Sequence, residues 1–172
     1  MSSHKYKGFE PKWQVEKAPE KSYRAIFKWG DPDFIKTPRE TLFEMMKQKF
    51  HMTDNDFQHF DGNIGLDNVS FDIPIRLKSE DISFFESVVG KDYVKTDDFS
   101  RLSVAYGKTM YDLLRLRKKI VENVPDVVIY PNSKDEIEKI VNYCSKKIIP
   151  VYVYGGGSSV TRGVECNKGG IS

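Results

Sequence analysis

The sequence predicts an α+β fold: a helical N-terminal region over residues 1–120 that leads into a β-α-β unit within 121–172. Three observations carry this prediction. Helix-start signals recur before residue 121, each followed by apolar residues three and four positions apart. From Pro125 the pattern changes to two short β-branched runs, Asp126-Val-Val-Ile-Tyr130 and Ile148-Ile-Pro-Val-Tyr-Val-Tyr154, with one capped helix between them. The second run passes straight into Gly155-Gly-Gly-Ser-Ser159, a loop at the carboxyl end of a strand, where ligands of α/β sheets gather. With 11 Phe, 9 Tyr and 2 Trp in 172 residues, the chain can bury a core, which excludes wholesale disorder.

Residues 1–21, rich in Lys, Glu and Pro, read as an extended lead-in. Thr37-Pro38-Arg39-Glu40 combines a capping threonine, a proline at the first helical position and a glutamate placed to close a capping box. Leu42, Met45, Met46 and Phe50 follow at helical spacing and read as a core-facing stripe. Asp61-Gly-Asn-Ile-Gly65 is turn chemistry. Ser79 is expected to cap a helix with Ile82, Phe85 and Val89 on its apolar side, ended by Gly90. A third helix is expected over 104–121, with Met110, Leu113, Leu114 and Val121 inward and Lys108, Arg115, Lys118 and Lys119 elsewhere. With Arg101 and Arg117 this is the most basic stretch, readable as a solvated face or as contact with anionic lipid head groups or phosphorylated substrates.

Asp126–Tyr130, stopped by Pro131, reads as a buried strand. Ser133-Lys-Asp-Glu136 is a second capping box, and Ile137, Ile140, Val141 and Cys144 then share one helix face. Ile148–Tyr154 reads as the second buried strand, and Ile171 as the start of another.

Charge and cysteine usage narrow the function classes. A formal charge of +2 gives no bulk electrostatic case for a nucleic-acid partner. No apolar run approaches the roughly 20 residues of a bilayer-spanning helix, and the first residues lack a signal-peptide stretch, so a soluble chain is expected. Cys144 and Cys166 are expected as free thiols in a reducing compartment. His4, His51 and His59 form no metal-ligand spacing, so no metal is expected.

Three consecutive glycines let the backbone turn sharply and present N–H groups to an anion, and Ser158 and Ser159 add hydroxyl donors. Gly156, the middle glycine, is expected at positive φ, nearest the phosphates. The loop is no NTPase P-loop, because the required lysine is absent, and no G-x-G-x-x-G, because the sixth position is Val160. Chemistry alone leaves two readings open, a phosphate grip and a tight structural turn.

Pro125-Asp-Val-Val-Ile-Tyr-Pro131, the capped helix, and Ile149-Pro-Val-Tyr-Val-Tyr-Gly-Gly-Gly-Ser-Ser-Val160 resemble the start of the FAD-binding (PCMH-type) domain of the vanillyl-alcohol-oxidase-type flavoproteins. Upstream, Lys28-Trp-Gly30, Arg101-x-x-x-Ala105-x-Gly107 and Asp112-Leu-Leu-Arg-Leu-Arg117 resemble one branch, the alkyldihydroxyacetonephosphate synthases and their bacterial FAD-linked oxidase relatives. The resemblance implies FAD as cofactor, with its pyrophosphate wrapped by Val153, Tyr154, Gly155, Gly156, Gly157, Ser158, Ser159 and Val160. The chain departs from that pattern at Val153 (often proline), Ser158 (threonine) and Arg162 (a small residue). The second FAD-binding segment, the substrate cap and the family's catalytic Tyr and His residues would lie beyond Ser172, so no catalytic residue is named and this piece alone is expected to be inactive. The implied substrates are a hydroxy acid, an alcohol or acyl-dihydroxyacetone phosphate. A homodimer, peripheral membrane contact and a cytoplasmic location, peroxisomal for a eukaryotic synthase, complete the expectation. The competing reading is a non-catalytic interaction module with a structural glycine turn and a basic docking helix.

Overall fold

The structure, a computed structural model, describes residues 17–27, 30–33, 39–58 and 63–172. The lead-in over 1–16, Lys28-Trp29, Thr37-Pro38, His4, His59 and Asp61-Gly62 lie outside the described residues. Helices α1 (Glu40–Phe50), α2 (Asp54–Gln58) and α3 (Ser79–Val89) precede a short strand β1 (Val94–Lys95). Then come α4 (Asp98–Ser103), α5 (Met110–Arg117), strand β2 (Val128–Ile129) and α6 (Lys134–Lys147).

The sheet places the loop. β1 pairs antiparallel with β2, Val94 opposite Ile129. Ile171 forms parallel bridges to both Val127 and Val151, so the last residues lie between the two strands that α6 connects. Ile171 N–H donates to Pro150 O at 2.9 Å, and Tyr152 N–H to Ile171 O at 2.9 Å. Ile129 N–H donates to Ser172 O at 2.8 Å. The β-α-β unit is therefore present, with its two strands separated by a third. Parallel neighbours need a long crossover, and α6 supplies it for the outer pair.

α6 follows its sequence signals. Ser133 Oγ accepts from Glu136 N–H at 3.2 Å, and Glu136 reaches back to Asn132 N–H at 2.7 Å. Ile140 and Cys144 enter a core shared with Phe85 and Val89 of α3, Val127 and Ile171. Tyr143 stacks on Phe84 with ring centroids 3.8 Å apart and donates its hydroxyl to Asp81 at 2.8 Å. That bond to a carboxylate favours the protonated phenol, pushing its pKa up to about 12. A second core joins Tyr23, Phe27 and Val69 to Leu102, Tyr106 and Leu116.

Several expectations are corrected. Arg39 is the N-cap of α1 and makes no side-chain capping bond, while Thr37, expected as the cap, lies outside the described residues. Ser79 is the first residue of α3 rather than its cap; Lys78 precedes it, and Asp81 accepts from the Lys78 N–H at 3.2 Å. Leu42, Met45 and Phe50 of α1 are exposed, and Phe43 is the residue buried, 4.5 Å from the Phe57 ring of α2. A partner as short as α2 covers only one strip of α1. Of the helix expected over 104–121 only α5 forms: α4 ends at Ser103, the chain turns over Val104–Thr109, and the helix starts at a Thr109–Asp112 capping box and ends at Arg117. The inward face of α5 is Asp112, Arg115 and Leu116, while Met110 and Leu114 are exposed. The run Ile148–Tyr154 is only partly buried: Ile148 caps α6 in the left-handed region, φ 58°, and Val153 is 86% exposed.

Candidate functional site

Beyond Tyr154 the backbone bends at Gly155–Gly157 and runs without regular structure to Val164. Gly157 is the glycine at positive φ, +66°, and a Cβ there would strike the Tyr154 hydroxyl, which lies folded under the turn. The expectation for Gly156 is thereby corrected: its φ is not positive, and a Cβ there would meet no atom within 4 Å. Gly155 is equally open, and both are exposed. Among the described residues, no protein acceptor takes a hydrogen bond from the N–H groups of Gly155 to Ser159. N–H groups without a protein acceptor on a glycine turn are the donors that an anion site requires.

The glycine turn is held from behind by the bend before α5. Lys108 N–H donates to Ser159 O at 2.9 Å. Gly107 lies so close to that carbonyl that a Cβ would collide with it. Lys108 extends its ammonium inward to Ile26 O at 3.1 Å, and burial lowers its pKa against the partial support of Asp112. Past the turn, Arg162 adopts φ +63° and donates to Glu165 through Nε at 2.9 Å and Nη2 at 2.7 Å.

The predicted residues share this segment but not one role. Gly155, Gly156 and Ser158 are exposed; Gly157 is buried; Ser159 is tied back through its carbonyl. Val153 and Tyr154 line an apolar cavity of about 200 Å³ against Ile137 and Val141 of α6. Val160 is exposed. Sequence reasoning missed the support. Gly107 was visible only inside a family-like motif, and Glu165 carried no pattern at all. It also misjudged the basic stretch. Arg115 is buried at 2% exposure, with its guanidinium 4.0 Å from the centre of the Tyr106 ring, and is paired with Asp112, Glu122 and Glu165. Arg101 is also buried and donates to Pro125 O at 2.8 Å. Neither can reach a lipid head group. Lys119 is held by Asp67 at 2.7 Å.

Residues 125–172 match the FAD binding domain family, and that match indicates FAD as the cofactor. The chain as a whole is similar to alkyldihydroxyacetonephosphate synthases. It is 36% identical to that of Trypanosoma brucei brucei over 94 residues, 55% of this chain and 15% of that protein. It is 39% identical to the mitochondrial D-lactate dehydrogenase [cytochrome] of Arabidopsis thaliana over 49 residues, 28% of this chain and 9% of that protein. Among solved structures, an alkyldihydroxyacetonephosphate synthase superposes with a TM-score of 0.66 at 21% identity, covering 94% of this chain and 31% of that one. The fold is thus that of these flavoproteins, and the chain spans a minor share of each relative's length.

The residues present fit the cofactor. A pyrophosphate is an anion that accepts hydrogen bonds, and the open faces of Gly155 and Gly156 leave its oxygens room to approach the backbone.

Proposed function

We propose that the full-length protein is an FAD-dependent enzyme acting on a small molecule, a hydroxy acid, an alcohol or acyl-dihydroxyacetone phosphate. In this reading the Val153–Val160 loop holds the FAD pyrophosphate. The observation that supports it is the set of unpaired N–H groups from Gly155 to Ser159 beside two glycines whose Cα atoms face open space. Gly155 and Gly156 would donate main-chain hydrogen bonds to phosphate oxygens, Ser158 and Ser159 would add hydroxyls, and Gly157 would make the turn. Bound FAD supplies two-electron acceptance; the chain's own residues here bind and orient it. In the non-catalytic alternative the docking face would lack Arg115, which is buried, and would rest on the exposed Arg117, Lys118 and Lys119.

The test is Gly156→Val in the full-length protein. The side chain meets nothing in the fold, so circular dichroism and melting should stay as in the wild type. Its methyl groups would occupy the space of the phosphate oxygens. Hydrogen bonds to charged groups contribute roughly 1.5–3 kcal/mol each, so losing two costs about two or more powers of ten in affinity. The wild type should purify yellow and the variant colourless. A folded variant with stoichiometric flavin would remove the pyrophosphate from this loop.

A further inference from the structure

The segment Gly155–Val164 has no regular secondary structure of its own to fix its shape. Among the described residues, its polar ties to the rest of the molecule run to one stretch, Gly107–Asn123. The Lys108 N–H takes the Ser159 carbonyl at 2.9 Å. A further set of side-chain ties passes through a single carboxylate. Glu165 Oε1 accepts from Arg115 Nη2 at 2.8 Å and from Asn123 Nδ2 at 2.7 Å. Glu165 Oε2 accepts from Arg162 Nε at 2.9 Å and Nη2 at 2.7 Å. The carboxylate is therefore saturated, with one oxygen turned to the scaffold and the other to the loop's exit.

Its inner anchor is rigid. Arg115 is 2% exposed, lies over the Tyr106 ring and is also gripped by Asp112 at 3.5 Å and Glu122 at 2.8 Å. Its outer partner, Arg162, is a non-glycine residue in the left-handed region, φ +63°, three positions after Ser159. A conformation that costs energy on its own persists when surrounding contacts dictate it. The Arg162 guanidinium is further placed over the Tyr111 ring of α5, 5.3 Å from its centre.

We propose that Glu165 is a positioning residue. It locks the exit of the glycine loop to α5 through Arg115 and Asn123, and so sets the backbone shape that grips the pyrophosphate. The inference rests on the flavin reading above. A purely stabilising ion cluster would need only the inner half of these contacts; the bidentate hold on Arg162 couples the cluster to the loop. Binding groups held in place beforehand do not spend affinity on being ordered.

The experiment uses full-length apoprotein titrated with FAD, read by flavin fluorescence, with thermal unfolding measured in parallel. Glu165→Gln keeps the shape and removes the charge. It should weaken FAD on the order of ten- to a hundredfold, the cost typical of losing a residue that orients a ligand-holding group. Asn123→Ala removes one inner hydrogen bond to that carboxylate and should weaken FAD by about tenfold, the low end for a hydrogen bond to a charged group. Tyr143→Phe, which breaks the remote hydrogen bond to Asp81, serves as the stability control and should leave FAD affinity unchanged. Wild-type affinity in Glu165→Gln overturns the proposal, as does an affinity loss that tracks melting temperature equally in Tyr143→Phe. Should Glu165→Gln fail to fold, unchanged affinity in Asn123→Ala overturns it. Flavin retained in Gly156→Val would sink the parent reading; flavin lost there but kept in Glu165→Gln sinks the positioning role alone.

Discussion

Gly157 turns the chain with φ +66° directly above the Tyr154 hydroxyl, so two separate costs meet on any side chain placed there. A left-handed conformation costs a non-glycine residue roughly 1–2 kcal/mol, and a Cβ would also have to displace the phenol. Gly157→Ala should therefore lower stability by about 2 kcal/mol and weaken flavin binding through a deformed turn. Gly156→Val, by contrast, should weaken binding with stability unchanged. Denaturant midpoints for both variants decide this; equal stability in both would contradict the assignment of the strained position. The glycine triplet was legible as a turn from composition alone. Which glycine carries the positive φ was not, because three identical residues offer no local preference and Tyr154 makes the choice from outside the triplet. The same limit hid the fate of Arg115: a basic residue beside Arg117 and Lys118 looks solvated until Tyr106, Glu122 and Glu165 surround it.

The break between α4 and α5 is the element on which the loop leans. Gly107 allows the backbone there to touch the Ser159 carbonyl, and the adjacent Lys108 N–H completes the contact. Gly107→Val should push the two segments apart, costing about 1–3 kcal/mol by overpacking and lowering FAD affinity at a site the flavin does not touch. Unfolding curves and a flavin titration on one preparation check both halves; a variant with wild-type values in each would deny the contact any role. Periodicity could not reveal this break. The apolar spacing of Met110, Leu113 and Leu114 marks α5 but not where it starts, and the contact that holds the turn before it lies about fifty positions further on, at Ser159. α6 was legible in its cap, Ser133, and in the buried Ile140 and Cys144, but Ile137 and Val141, expected on the same face, are exposed, and Glu136 accepts from Asn132 N–H rather than closing a box on Ser133. The last turn of the expected helix fails for a related reason: Lys119 takes φ +55° and pairs with Asp67, a residue far back in the chain.

Across the whole molecule, both thiols sit in the cores or beside them, and burial governs their chemistry. Burial pushes the Cys144 thiol up to about 11, with Asp81 adding to the effect, and Cys166 up to about 12, with Asp126 and Glu165 adding. An unfolded thiol ionises near 9.0, so above that pH the unfolded chain has lost protons that the folded one keeps. Stability should therefore fall as pH rises above about 9, less steeply once both cysteines are alanine. Alkylation near pH 8.5 should be slow in the folded protein and fast in denaturant; rapid native labelling of Cys166 would contradict its burial. The strands that frame these cores were legible as apolar runs, but their order was not, because pairing joins residues far apart in the chain, Val94 with Ile129 and Val127 with Ile171. That order has a consequence for synthesis. Val127 and Val151 are made before Ile171, the residue that comes to lie between them. At about 5–20 residues per second, the ribosome takes about one to four seconds to supply the missing centre. Strands can pair in microseconds, so for that interval the two outer strands face each other as open edges with time to join wrongly. The glycine turn emerges within the same interval, and Glu165, which ties its exit to the earlier-made Arg115 and Asn123, follows before Ile171 is added.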